Sequence, residues 1–324
     1  MVMAQSLFMQ LKSRDADVAI DVVSSPAPLE LTERMPEVRL GLPLAVGHGE
    51  LGIRRRWALA RTLKDRGYER AIVLPSSFKS ALAPFFAGIP IRTGYRGEWR
   101  LGVINDPRPQ RSFPSEQSVR GYLGLGTASG NGGGDTLQRP TLHVDATNQA
   151  RLVAELGLDL EWPVIALAPG AAYGPAKQWP VEHFRTLAAR LSETGNTVWV
   201  LGGPDDATLA RAVLDGVGGR VHDLTGRTTI AGAVDLLNLA SVTVSNDSGL
   251  MHVAAAAGSR VVALYGPTSP SFAPPLTDEA DIFYTGIDCS PCFERTCPLG
   301  HHRCLRDITA DEVLSKILVS VNGN

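Results

Sequence analysis

Short apolar runs alternate with longer stretches of helical spacing along the chain, and the alternation starts twice. In the first half, residues 19–23 (Ala-Ile-Asp-Val-Val) read as a strand. Residues 54–66 carry helical spacing, with Trp57, Leu59, Ala60 and Leu63 on the predicted inner face. Residues 71–74 predict a second strand, ended by Pro75-Ser76-Ser77, and residues 78–87 a helix closed by Gly88. The second half repeats the pattern more clearly. Strands are predicted over 164–168, 197–201, 242–245 and 261–265, most of them ending in glycine or proline. Helices are predicted over 181–193, 207–214, 230–238, 250–257 and 310–319, with Thr228-Thr229 suited to cap the third.

Strands alternating with helices predict parallel sheets, so the fold class is α/β with two doubly wound domains. The seam is expected near residues 145–163, giving an N-terminal domain over 1–150 and a C-terminal domain over 151–324. Residues 126–140 form a Gly-rich polar segment that cannot bury a core and is expected to be a mobile loop, an insertion by default.

Composition changes the picture in three ways. The 324 residues are 44% hydrophobic and 20% charged, which fits a globular protein of two ordinary domains. No run reaches the roughly 18 apolar residues of a membrane span, and the start lacks the pattern of a signal peptide, so a cytoplasmic protein is expected. Residues 1–150 hold 19 Lys+Arg against 14 Asp+Glu, and the remainder 12 against 19. A basic first half suits an anionic partner, although scattered solvated side chains give the same count.

The chemistry concentrates where predicted strands end, which is where such sheets bind ligands. Pro169-Gly170-Ala171 opens a small-residue loop that runs through Lys177 to Trp179-Pro180. Exposed backbone N–H groups and an ammonium there suit a phosphate, although a Walker loop is absent. Asn246-Asp247-Ser248-Gly249 leads into a helix of small residues, with His252 about one turn in. Asp247 or Ser248 is expected to cap that helix and to meet a sugar or ribose hydroxyl. Gly202-Gly203-Pro204-Asp205-Asp206 offers a further carboxylate, and Gly266-Pro267-Thr268-Ser269-Pro270 a rigid turn. In the first half, Lys79 follows a strand end, and Arg92, Arg96 and Arg100 are spaced by four among aromatics. These could meet phosphates or sugar rings of an acceptor. Arg54-Arg55-Arg56 could touch an anionic membrane surface or be plain solvated charge. Cys289, Cys292, Cys297 and Cys304 fall at a density that suits structural zinc, or else are reduced thiols.

Taken in order, these segments resemble glycosyltransferase family 9, and residues 74–94 point to its ADP-heptose:lipopolysaccharide heptosyltransferase II branch. The resemblance implies a GT-B fold, two facing Rossmann-like domains with an interdomain cleft. It implies inverting transfer of L-glycero-D-manno-heptose from ADP-heptose to the first heptose of the lipopolysaccharide inner core, with no cofactor required. The donor would be held by Gly170, Ala171, Lys177, Asp247, Ser248, Gly249 and His252. Lys79, Arg92 and Arg96 would face a Kdo-lipid A core acceptor at the inner face of the inner membrane. Family members begin with a strand and a Gly-Asp turn whose Asp is the general base. This chain is expected to begin inside the following helix, so no catalytic base is carried over. Asp15 and Asp17 lie past that helix.

Two other readings compete. An epimerase or dehydrogenase on the same fold is disfavoured because no Gly-x-Gly-x-x-Gly opens a first βα unit. A non-catalytic nucleotide-sugar-binding protein, or a truncated inactive form, would fit the missing base. Nucleic acid is an unsuited partner, since no basic stripe or known module occurs.

Overall fold

The computed structural model describes residues 1–47, 49–109, 117–127 and 136–322. They fall into two compact units, Met1–Pro140 and Thr141–Asn324. Most of the Gly-rich segment, residues 128–135, lies outside the described residues.

Among the described residues the first unit carries five strands: β1 (Ile20–Ser24), β2 (Val38–Pro43), β3 (Arg70–Val73), β4 (Ile91–Tyr95) and β5 (Asp106–Arg108). Among the described residues they form two separate parallel sheets, β1-β2 and β3-β4-β5. Five helices accompany them: α1 (Gln5–Arg14), α2 (Pro26–Leu29), α3 (Ile53–Asp65), α4 (Leu82–Phe86) and α5 (Ser118–Leu125). The inner face of α3 differs from expectation. It buries Arg56, Leu59, Ala60 and Leu63, an i, i+3, i+4, i+7 stripe that leaves Trp57 outside. Trp57 is half exposed, and the Arg61 guanidinium stacks 3.7 Å from its ring centre. Arg56 takes the inner position because its Nε donates to the Leu51 carbonyl at 2.8 Å. The arginine triplet is therefore no single basic patch. Arg56 is buried, with its guanidinium pKa pushed down by that burial, and Arg55 donates to the Ala45 carbonyl.

The second unit is one six-stranded parallel sheet. Its strands are β6 (Val164–Ala168), β7 (Thr197–Val200), β8 (Val221–Asp223), β9 (Val242–Asn246), β10 (Arg260–Tyr265) and β11 (Ala280–Tyr284). Their spatial order is β8-β7-β6-β9-β10-β11, the 3-2-1-4-5-6 arrangement of a dinucleotide-binding fold. Its helices are α6 (Ala146–Leu156), α7 (Val181–Glu193), α8 (Ala207–Leu214), α9 (Ile230–Leu239), α10 (Gly249–Ala257), α11 (Arg303–Arg306) and α12 (Ala310–Asn322). Every residue of β6, β7 and β9 is buried, as strands covered on both faces must be. Ile165, Leu167, Phe184, Leu187, Val198, Val262 and Ile317 share one core.

A boundary at residue 150 would cut α6. That helix belongs to the second unit, because Asp235 on α9 accepts from the Asp145 amide (2.9 Å) and from the Asn148 side chain (2.6 Å). The division therefore falls at 140/141.

Candidate active site

Strand order reverses between β6 and β9, so the loops leaving these two strands diverge and open a crevice at their carboxyl ends. One buried side chain ties the two loops together. Asn246, the last residue of β9, donates from Nδ2 to the Pro169 carbonyl (2.7 Å) and accepts the Trp179 amide N–H on Oδ1 (3.0 Å). Trp179 is buried, and its indole N–H donates to the Ile308 carbonyl at 2.9 Å. The loop from Pro169 to Pro180 is thus anchored at both ends.

Between those anchors sits Lys177. Its ammonium meets the Asp247 carboxylate at 2.5 Å and the Asp247 carbonyl at 3.3 Å. Thr268, on the turn after β10, donates its hydroxyl to the same carboxylate oxygen at 2.6 Å. Both charged side chains are largely buried. A buried pair is stable only when its remaining hydrogen-bond positions are filled, and Thr268 fills one. Tyr173 lies alongside: Lys177 Nζ is 4.9 Å and the Arg295 guanidinium 5.2 Å from its ring centre. The Tyr173 hydroxyl donates to the Phe293 carbonyl at 2.7 Å.

The capping expectation is corrected. Ser248 occupies the N-cap of α10, but no side chain caps that helix. The Asp247 carboxylate is committed to Lys177 and Thr268, and the Ser248 hydroxyl lies 3.1 Å from that of Ser245. The first N–H groups of α10 are left for an anion, which the helix dipole favours. A Cβ built on Gly249 would meet nothing within 4 Å.

His252 lies one turn into α10. Burial pushes its imidazole down to about 4; Asp247 pulls it up and Lys177 pushes it further down. It is therefore neutral at pH 7 and adds no charge to the site.

Gly170 and Gly202 are glycines for a visible reason. A Cβ on Gly170 would sit 2.6 Å from an Asp206 carboxylate oxygen, and one on Gly202 would sit 2.8 Å from the Asp206 Cβ. That carboxylate accepts the Gly203 amide N–H at 2.9 Å, so Asp206 braces the turn after β7. Ala171 is half-buried beside Gly170.

In the first unit the three cationic candidates part company. Arg92 donates to the carbonyls of Val103 (2.7 Å) and Ile89 (2.5 Å), near the amino end of β4. It is a structural tie, which corrects its placement on the acceptor side. Lys79 follows the end of β3, and Arg96 follows β4. Neither side chain makes a hydrogen bond or ion pair among the described residues. A cavity of about 600 Å³ opens at the opposite, amino ends of β3–β5, lined by Arg14, Arg70, Asn105, Asp106, Arg108 and Thr127. Its position is the wrong end of a parallel sheet for ligand chemistry.

The cysteines gather around Cys304. That thiol is buried and pushed up to about 11, by burial first and then by Cys289, Cys292 and Cys297. Among the described residues no group of three His, Cys, Asp or Glu is placed to hold a metal ion. The segment is stitched to the loops after β6 and β10. Phe293 donates its amide to the Pro267 carbonyl at 2.7 Å, and Ala176 donates its amide to the Arg295 carbonyl at 3.0 Å.

Asn246 and Tyr173 lie inside the motifs singled out in the sequence but without a role there, and Arg295 lies outside them. Thr268 was visible only as part of a rigid turn. The signals were faint: a polar residue closing an apolar strand, and one tyrosine in a small-residue loop.

A strand-order reversal with a buried lysine beside an uncapped helix start is the layout at which Rossmann-like α/β units bind nucleotides. Residues 56–303 match the model of glycosyltransferase family 9 (heptosyltransferase), and the chain belongs to that family. It is 38% identical to lipopolysaccharide heptosyltransferase 2 of Salmonella typhimurium, over 100% of this chain and 96% of that protein. Identity is also 38% to the Escherichia coli K12 protein of the same name, over 98% of this chain and 94% of that protein. The solved structure of Escherichia coli ADP-heptose lps heptosyltransferase II superposes with a TM-score of 0.88 at 36% identity, covering 100% of this chain and 95% of that one. The chain is thus a glycosyltransferase of GT-B fold, built from two Rossmann-like units.

Proposed function

We propose that this chain transfers L-glycero-D-manno-heptose from ADP-heptose to the first heptose of the lipopolysaccharide inner core, with inversion at the anomeric carbon. The observation that carries the reading is the Lys177–Asp247–Thr268 cluster at the reversal of strand order, beside the uncapped start of α10. As the bond from the anomeric carbon to the diphosphate breaks, negative charge grows on the leaving ADP. Lys177 and the first N–H groups of α10 offset it where water is sparse. Asp247 orients Lys177, and Ser248 and Gly249 give close backbone approach to the pyrophosphate and sugar. The attacking hydroxyl gives its proton to a base, and no described residue is assigned that role. The reading requires no metal, since the lysine and the helix start supply the positive charge. Lys79 and Arg96 are the acceptor-side cations, facing a Kdo-lipid A core at the inner face of the inner membrane.

The test is an ADP-release assay with ADP-heptose and a mono-heptosylated Kdo-lipid A acceptor. Release that needs both substrates supports the reading. Donor binding without release would make the chain a nucleotide-sugar-binding protein, and no donor binding would overturn the reading.

A further inference from the structure

The loop after β4 exposes more apolar surface than a solvated loop should. Trp99 is 93% and Leu101 83% exposed, and Phe78, at the end of the neighbouring β3 turn, is 38% exposed. Scattered exposed apolar residues are ordinary, but a tryptophan and a leucine standing almost free of the protein, two residues apart, are not.

They are also held there. Glu98 (φ 36°) and Trp99 (φ 52°) both occupy the left-handed region, which costs stability for residues with side chains. Arg100, between the two exposed residues, points the other way. It is 3% exposed and donates from a guanidinium nitrogen to the Pro75 carbonyl at 2.7 Å. The Arg100 amide closes back on the Gly97 carbonyl (3.1 Å), and the Ile104 amide closes on the Arg100 carbonyl (3.0 Å). The Glu98 carboxylate turns back to accept the Phe78 amide N–H at 2.8 Å. The result is a braced turn with a buried cation as its root and two apolar prongs outside.

Charge around the prongs is positive and uncommitted. Arg96 is exposed, Lys79 is half-buried, and neither has an ion-pair partner among the described residues. The nearby Glu98 is engaged with the Phe78 amide. Tryptophan and leucine beside unpaired cations is the composition that seats a protein on an anionic bilayer, the rings entering the headgroup level while the cations meet lipid phosphates.

We infer that the 96–101 turn is a membrane-docking finger, in which Trp99 and Leu101 insert into an anionic lipid surface whose headgroups meet the same cations, Arg96 and Lys79, that face the lipid-linked acceptor. This rests on the proposed lipid-linked acceptor only for its purpose, and the contact is tested without donor or acceptor. The full chain is sedimented with vesicles of phosphatidylethanolamine, with or without a quarter phosphatidylglycerol as the anionic lipid. Wild type is expected to sediment with the anionic vesicles, and Trp99→Ser/Leu101→Ser to bind them about tenfold or more less tightly. Both side chains are exposed, so the variant should keep the melting temperature of wild type. Trp99→Phe should still bind, but lose the quenching of tryptophan fluorescence that bromine-labelled lipid causes in wild type. Equal sedimentation of wild type and double variant would overturn the inference. So would a wild type that binds neither vesicle, or one that binds only when Kdo-lipid A is added, since the turn would then read the acceptor rather than the bilayer. A wild type that releases ADP but binds neither vesicle would break only this inference. Loss of ADP release with vesicle binding intact would break only the proposed function.

Discussion

Among the described residues the second unit spreads six parallel strands into one sheet, whereas the first divides five strands between two sheets. The difference shows in what each unit presents. In the second, loops from β6, β9 and β10 converge on one buried pair, Lys177 and Asp247, and wholly buried side chains fix them. In the first, cations and aromatics sit on turns at the strand ends, and two of the cations, Lys79 and Arg96, have no partner among the described residues. A continuous sheet holds polar groups at fixed distances against the cost of burying them. The turns of a divided sheet leave cations and aromatic side chains in contact with solvent, which suits an extended and charged partner. On the proposed function, the second unit is thus built for precision and the first for access.

The largest expected effect breaks the second unit's side of this contrast. Lys177→Ala should lower the rate of ADP release about a hundredfold, the scale of one lost electrostatic stabiliser. The melting temperature should fall as well, because the buried Asp247 carboxylate loses its counter-charge and keeps only the Thr268 hydrogen bond. Next comes the anchor beneath it. Trp179→Ala should cost roughly 3–5 kcal/mol in denaturant unfolding, as truncation of a buried aromatic does. Donor affinity should fall with it, since the Lys177 loop loses its hold on the Ile308 carbonyl.

A smaller effect separates Gly170 from an ordinary turn glycine. Gly170→Ala should cost about 1–3 kcal/mol of stability, because the new methyl displaces the Asp206 carboxylate from the Gly203 amide. In the first unit, Arg92→Ala should destabilise by about 1–3 kcal/mol, having lost charged hydrogen bonds to two carbonyls. Arg96→Ala should leave stability unchanged and act on the acceptor's KM. If Arg92→Ala proved neutral for stability while raising that KM, the division between the two arginines would fail.

The last effect is a pH dependence, confined to acid conditions. The His252 imidazole is lowered from 6.5 to about 4 on folding, chiefly by burial. Between those values the unfolded chain binds more protons than the folded one, so stability falls as pH drops through this window. His252→Gln should flatten that part of the stability curve and leave the region above pH 7 alone.

How far this could be foreseen differs between the units for physical reasons. The bounds of β6, α7 and α8 are readable to the residue, because both strand faces are apolar and glycine, proline or a helical apolar period marks the edges. In contrast, β2 reads Val-Arg-Leu-Gly-Leu-Pro and β4 reads Ile-Arg-Thr-Gly-Tyr, with polar and turn-forming residues that resemble loops. Arg56 and Trp57 were exchanged for the same kind of reason. Hydropathy favours the indole inside, and only the Leu51 carbonyl, closed back by the turn before α3, makes the guanidinium welcome there. Lys177 and Asp247 were singled out by resemblance. Their direct pairing across 70 residues, with Asn246 binding both loops, depends on the strand order and has no local signature.

The central claim is that the Lys177–Asp247 pair, on the second unit alone, receives the diphosphate of the donor. Titration calorimetry of ADP into wild type, Lys177→Ala and Lys79→Ala tests it most directly. The account predicts that Lys177→Ala weakens ADP binding by about tenfold or more, the loss of one charge-assisted contact. Lys79→Ala should stay within about twofold of wild type, as an independent site should. Wild-type ADP affinity in Lys177→Ala, or an equal loss in Lys79→Ala, would contradict it.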